Sequence, residues 1–204
     1  MKNLFALAIL AVLIFPSLSF DKKGTMENQP MPALASKSLD GKTIDQNYFR
    51  GHVTLVNFMF IGCMGCMNEI SALNRLHDEY AGKPEMQVLC VARQMRGQME
   101  EFNGENSSVF CKVRKALHVD PMPYTILPGC PDAASKMETV DSNVTLKREC
   151  NTLDEVYGLN TYPTTFFVDK KGIIRRISTG GPIRQNDSTF YNELKRQADL
   201  LLAE

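Results

Sequence analysis

Cys63-Met64-Gly65-Cys66 stands where one type of backbone pattern gives way to another. Before it runs Val53-Thr54-Leu55-Val56-Asn57-Phe58-Met59-Phe60, nearly all apolar and rich in β-branched and aromatic residues, the pattern of a strand buried on both faces. After it Ile70, Leu73, Leu76 and Tyr80 recur at helical spacing, and Gly82-Lys83-Pro84 closes the helix. Two cysteines at a strand-to-helix turn make a reactive thiol couple. The unpaired N–H groups and partial positive charge of a helix start favour thiolate over thiol. A free thiol of pKa about 8.5 is mostly protonated at neutral pH, and lowering that value to about 7 makes roughly half of it nucleophilic. The second cysteine is close enough to resolve a mixed disulfide.

The remaining spacing predicts a strand over Met86 to Ala92. It also predicts a hairpin of Thr164–Asp169 and Ile173–Ser178 joined by Lys170-Lys171-Gly172, and a closing helix with Leu194, Leu200 and Leu201 on one side. Leu39-Asp40-Gly41-Lys42-Thr43 reads as a turn at the domain edge. Alternating strands and helices predict an α/β sheet flanked by helices. Residues from about 104 to 150 interrupt this order with Pro121, Pro123, Pro128 and Pro131 and with Cys111, Cys130 and Cys150, and are read as an insertion.

The amino terminus sets the compartment. Lys2 precedes the unbroken apolar stretch Leu4 to Phe15, followed by Pro16 and Ser17-Leu18-Ser19: the three regions of a secretory signal peptide over residues 1–19. Left uncleaved, Leu4 to Phe20 is near the short limit of a membrane anchor. Residues 20–32 read as a flexible lead-in, and 33–204 as one domain. The expected location is extracytoplasmic, in a periplasm or secreted, where disulfides persist, with membrane association only through an uncleaved signal. Lysines plus arginines number 23, as do aspartates plus glutamates, so no basic excess points to nucleic acid.

Asn57-Phe58, Cys63-x-x-Cys66 with Glu69, and Tyr162-Pro163-Thr164-Thr165-Phe166-Phe167-Val168-Asp169 with Lys171-Gly172 together resemble the thioredoxin superfamily. Within it they are similar to the exported TlpA/ResA-like thiol–disulfide oxidoreductases, over about Met31 to Ala203 apart from the middle segment. The resemblance implies a thioredoxin-like central mixed sheet with a cysteine-containing insertion before a cis-proline strand. It implies Cys63 as nucleophile, Cys66 as resolving thiol, and Tyr162 and a cis Pro163 facing the pair to receive an extended substrate. Glu69 is a proton-relay candidate, because Asn57 stands where cytosolic relatives carry a titratable aspartate. The plainer reading of Glu69 is a first-turn carboxylate complementing the helix dipole, and of Pro163 a trans proline opening an edge strand.

The implied partners are protein disulfides or dithiols and an upstream electron donor, with no cofactor and no metal. Reduction of partner disulfides is the expected direction. Two departures are plain: Gly62 stands where the family places tryptophan, and Met64-Gly65 separates the cysteines.

Rival uses of the pair have weaker support. Structural zinc needs a second close Cys or His pair, which the spacing of His52, His77, His118 and the other cysteines does not provide. Haem attachment needs His after Cys66, where Met67 stands. A copper chaperone would use the two thiols with Met64 and Met67. A peroxiredoxin-like peroxidase would want a threonine where Phe60 is. Cys90 reads as an inert buried thiol, and two of Cys111, Cys130 and Cys150 as a bridge stapling the insertion. Three Asn-x-Ser/Thr sequons, at Asn106, Asn143 and Asn186, are short enough to arise by chance.

Overall fold

The computed structural model describes residues 26–32, 36–130, 136–140, 143–147 and 158–204. The expected signal peptide, Leu4 to Phe20 included, lies outside the described residues. No helix among those described is long and apolar enough to cross a membrane.

The centre is a five-stranded mixed sheet. β3 (Val53–Met59) lies in the middle, every residue buried. It pairs in parallel with β4 (Met86–Met95), which pairs in parallel with β5 (Thr125–Cys130) at one edge. On its other side β3 pairs antiparallel with β8 (Thr164–Val168), and β8 with β9 (Ile174–Thr179). A small hairpin of β1 (Ser36–Lys37) and β2 (Thr43–Ile44) carries the turn at Asp40-Gly41. The short helix α1 (Gln46–Phe49) follows, capped by Asp45.

Alternation along the strands sorts the core into two layers. Leu55, Met59, Val88, Cys90, Ile126 and Phe167 face one way, packed under α2 (Met64–Glu79) and α5 (Ser188–Leu202). Val56, Phe58, Leu89, Val91, Leu127 and Phe166 face the other way, against Phe49 of α1 and Met31. The predicted mixed thioredoxin-like sheet flanked by helices is therefore the fold.

Three expectations change in detail. The segment from about 104 to 150 is not wholly an insertion. Its first half holds the helix α4 (Val109–Ala116), which packs on α3 (Arg96–Asn103), and β5, an edge of the main sheet. Pro128 is compatible with this strand because an edge has one side without ladder partners. Among the described residues of its second half, the hairpin of β6 (Lys136–Val140) and β7 (Asn143–Lys147) forms a sheet apart from the main one.

The lead-in is docked over residues 26–31 rather than flexible. Asn28 N donates to Ile174 O at 2.6 Å and Met31 N to Gly172 O at 2.8 Å, while the Glu27 carboxylate accepts from Ile177 N at 2.8 Å. Met31 is fully buried, worth about 2 kcal/mol of apolar transfer, which explains why this stretch stays on the sheet. In α5, Leu194, Ala198 and Leu201 form the buried stripe and Leu200 is exposed, because 200 falls off the i, i+4, i+7 line.

Cys111 is buried in α4 and makes no disulfide, so it takes no part in a bridge stapling the insertion. The Cys130 side chain and Cys150 lie outside what the structure describes.

Candidate functional site

The cysteine pair sits at the C-terminal end of β3, where the chain turns into α2. Cys63 is the N-cap of that helix, with extended backbone, and its Sγ accepts a hydrogen bond from the Cys66 backbone N at 3.1 Å. One of the first amide donors of the helix is therefore aimed at the Cys63 sulfur, at the positive end of the helix dipole. The two sulfurs are joined as a disulfide, with Cα atoms 5.2 Å apart. Cys63 is half-buried and Cys66 almost completely buried, so Cys63 is the more accessible of the two.

Gly62 has φ of 121°, a region that side chains rarely adopt, so the tryptophan usual in the resembling family would be strained there. Met67 packs into the core, whereas Met64 is exposed.

Pro163 lies against the turn between the cysteines. Its peptide bond to Tyr162 is cis. A Cβ placed on Gly65 would stand 3.2 Å from Pro163 Cδ. Tyr162 is half-buried, its ring edge-on to Phe60 with centroids 5.2 Å apart.

Sequence reasoning missed the third wall, the loop after β9. Asn68, buried on α2, donates to Pro182 O at 3.1 Å and Ile183 O at 2.8 Å, which pins that loop beside the cysteines. At Gly181 a Cβ would meet Gly65 O at 2.6 Å and Pro163 Cγ at 2.8 Å. Gly181→Ala is therefore expected to push the loop off the turn at a cost of about 1–3 kcal/mol, read as a lowered Tm with changed Cys63 alkylation kinetics. An unchanged Tm would mean the contact is loose. The sequence hint was the pair Gly180-Gly181 after a strand.

Glu69 is fully buried in the second turn of α2, three residues beyond Cys66 and so on the same helix face. It is not the solvated first-turn carboxylate of the plainer reading. Thr165 Oγ1 donates to its Oε1 at 3.1 Å, and Asn57 Nδ2 donates to its Oε2 at 3.0 Å. Asn57 Nδ2 also donates to Thr165 Oγ1 at 3.0 Å, closing a triangle across α2, β3 and β8. Burial pushes the Glu69 carboxyl up to about 7, against the two hydrogen bonds that favour its ionised form. Cys90 lies beyond this triangle on β4, and burial with the Glu69 charge holds its thiol far above the usual range, so it stays protonated. Among the described residues no cluster of three His, Cys, Asp or Glu side chains is placed to hold a metal ion.

The structure thus brings Cys63, Cys66, Glu69 and Pro163 together and puts Tyr162 on the rim. A thiol couple, a neighbouring carboxyl that titrates near neutrality and a backbone wall are the parts that thiol–disulfide exchange needs.

Known proteins are similar to this chain in sequence and in fold. The "Thioredoxin-like protein YneN" of Bacillus subtilis is 23% identical over 171 residues, covering 82% of this chain and 79% of that protein. A Chlorobium tepidum structure named for the thiol:disulfide interchange protein DsbE superposes with a TM-score of 0.56 at 17% identity, over 86% of this chain and 97% of the other. A thiol-disulfide isomerase from Corynebacterium glutamicum gives 0.54 at 16% identity, over 87% and 97%. These structural likenesses establish the fold. The AhpC/TSA family matches residues 28–177, well over half of the 204-residue chain. With its thioredoxin-like sheet and the cysteine pair at the head of α2, the chain belongs to the AhpC/TSA family.

Proposed function

We infer that this protein exchanges disulfides with partner proteins outside the cytoplasm through Cys63 and Cys66, acting as a reductant. The observation that carries this is the unequal burial of the pair at the head of α2, with Glu69 enclosed behind it. In the reduced protein the Cys63 thiolate attacks one sulfur of a partner disulfide. That S–S bond breaks, a Cys63–partner disulfide forms, and the leaving sulfur takes a proton from water. The Cys66 thiol then gives its proton to the Glu69 carboxylate and attacks Cys63 Sγ. The partner leaves as its second thiolate, which takes a proton from water, two electrons have passed to it, and Cys63–Cys66 is closed as in the structure.

Tyr162 and Pro163 form the wall along which the partner chain lies. Lys2, the apolar stretch that follows and Ser17-Leu18-Ser19 support export. An upstream dithiol donor reopens the pair. Neither rival use of the cysteines gains support: Phe60 offers no hydroxyl to peroxide and meets Tyr162 edge to face, and Met67 is enclosed in the core.

The test is to mix reduced protein with a disulfide-bonded protein such as insulin, with hydrogen peroxide, or with copper(I), and to follow each cysteine by alkylation. Oxidation of Cys63 and Cys66 together by insulin, faster than by peroxide, is expected. Preferential oxidation by peroxide, or thiols blocked by copper and inert to insulin, would overturn the assignment.

A further inference from the structure

Four large hydrophobic side chains are exposed among the described residues, and two of them, Met64 and Ile183, stand beside the cysteines. Met64 lies between Cys63 and Cys66 at the start of α2. Ile183 belongs to the loop after β9 and is 91% exposed. The other two, Val109 and Leu200, lie on α4 and α5.

Ile183 is held out by its neighbours rather than left loose. Its carbonyl accepts from Asn68 Nδ2 at 2.8 Å, and Pro182 before it is buried. Further on, Gln185 Nε2 donates to Leu117 O at 2.8 Å and Asn186 N donates to Ser71 Oγ at 3.1 Å. On the near side Gly181 packs on Gly65 O and Pro163. The loop is thus fixed along α2 on both sides of Ile183, and the Ile183 side chain is turned out to water. Met64 and Asn68 are four residues apart on α2 and share a face, so Ile183 is tied down one helical turn, about 5.4 Å, from Met64.

Scattered apolar side chains on a surface are ordinary. These two flank a sulfur that bonds to a partner in the exchange step, and that bond decides what comes to rest on them. A disulfide brings the Cα atoms of its two cysteines to about 4.4–6.8 Å. The partner residues around the attacked cysteine are therefore carried onto this rim. In an extended partner chain the immediate neighbours of that cysteine point away from Cys63. Residues two places from it point back toward this protein, roughly 7 Å along the chain. That reach matches the step from Cys63 to Met64 and Ile183.

We propose that Met64 and Ile183 select partners that carry an apolar side chain two residues from the attacked cysteine. Such a side chain leaves water as it covers the two aliphatic groups, whereas a polar one gains nothing there. Ile183 is a specificity-determining residue, and Asn68 and Gly181 set its place. The inference rests on the dithiol exchange and the extended partner proposed above.

The test uses three blocked peptides, each joined to a copy of itself through one cysteine. The first has leucine two places to either side of the cysteine and serine next to it. The second has leucine next to the cysteine and serine two places away, and the third has serine throughout. The second-order rate at which each oxidises the reduced full chain is followed by quenched alkylation of Cys63 and Cys66. With wild type the first peptide is expected to react about tenfold faster than the third, and the second peptide within about twofold of the third. Ile183→Ser or Met64→Ser is expected to cut the tenfold ratio to about threefold, and the two together to abolish it, while Ile183→Leu keeps it. Each ratio is internal to one variant, so a general change in thiol reactivity on replacing Met64 cancels.

A wild-type ratio near one, an equal gain from leucine next to the cysteine, or a ratio that neither serine substitution moves would overturn the selection. So would a wild-type dimer that Ile183→Ser dissociates without altering the ratio, since the patch would then be a contact between copies of this chain. A wild-type protein inert toward all three peptides would overturn the exchange mechanism and the selection with it.

Discussion

Glu69→Gln is expected to reverse sign in its effect on stability between pH 5 and pH 8 and to remove most of the turnover at the higher pH. The folded carboxyl holds its proton up to about 7, against an ordinary value of 4.5. Between those values the folded state binds more protons than the unfolded one, so wild-type stability falls as pH rises through that window. The fall amounts to about 3 kcal/mol once the pH is above 7.

Glutamine never ionises, so the variant lacks this slope. It has one acceptor oxygen where Thr165 and Asn57 both donate, and the unpaired donor costs about 1 kcal/mol at every pH. The variant should therefore be slightly less stable than wild type at pH 5 and about 2 kcal/mol more stable at pH 8. Denaturant unfolding of the oxidised protein at both pH values reads this directly. Parallel stability curves would mean that Glu69 is not a buried carboxyl titrating near neutrality. In turnover, the wild-type rate should rise with pH as Glu69 ionises and becomes able to take the Cys66 proton. The variant should lose that limb, with a deficit of about a hundredfold at pH 8.

The second large effect belongs to Cys66→Ser. The substitution leaves the Cys63 sulfur at the N-cap, where the backbone N of residue 66 still points to it, and removes the thiol that resolves the mixed disulfide. Attack by Cys63 then ends in a stable adduct. Release by external thiol forgoes the proximity of a neighbouring group, so turnover should fall by about a thousandfold or more. Non-reducing gels should show adducts that collapse on reduction, with the linkage at Cys63 by mass spectrometry, and Cys63→Ser should form none. Adducts carried by Cys90 or Cys111 would contradict the assignment, since both are fully buried.

What was legible in the sequence was what local pattern controls. The run from Val53 is almost unbroken in apolar character because β3 is covered on both faces. The spacing of Ile70, Leu73 and Leu76 is one buried helix stripe. The proline-rich middle hid β5, because four prolines signal loops while Pro128 occupies an edge strand where one more missing N–H is tolerated.

The lead-in looked flexible because its composition is polar, whereas Met31 buries itself in the core cluster that includes Ile174 of β9 and hydrogen bonds to β9 hold the rest. At the site, Cys63, Cys66 and Pro163 carry recognisable neighbours in sequence. The contacts of Thr165 and Asn57 with Glu69 carry no local signal: each meets that carboxyl only because β8 and β3 pair under α2, and Thr165 is 96 residues from it. The pinning of the 182–183 loop by Asn68 spans more than a hundred residues and leaves no periodic trace.

The direct measurement is the rate of iodoacetamide alkylation at each cysteine of the reduced wild-type protein, resolved by mass spectrometry across pH. Cys63 should react first, at least about tenfold faster than Cys66, and with an apparent pKa below the ordinary thiol value of about 8.5. Equal rates, or Cys66 reacting ahead of Cys63, would contradict an accessible nucleophile at the helix start with its resolving partner enclosed behind it.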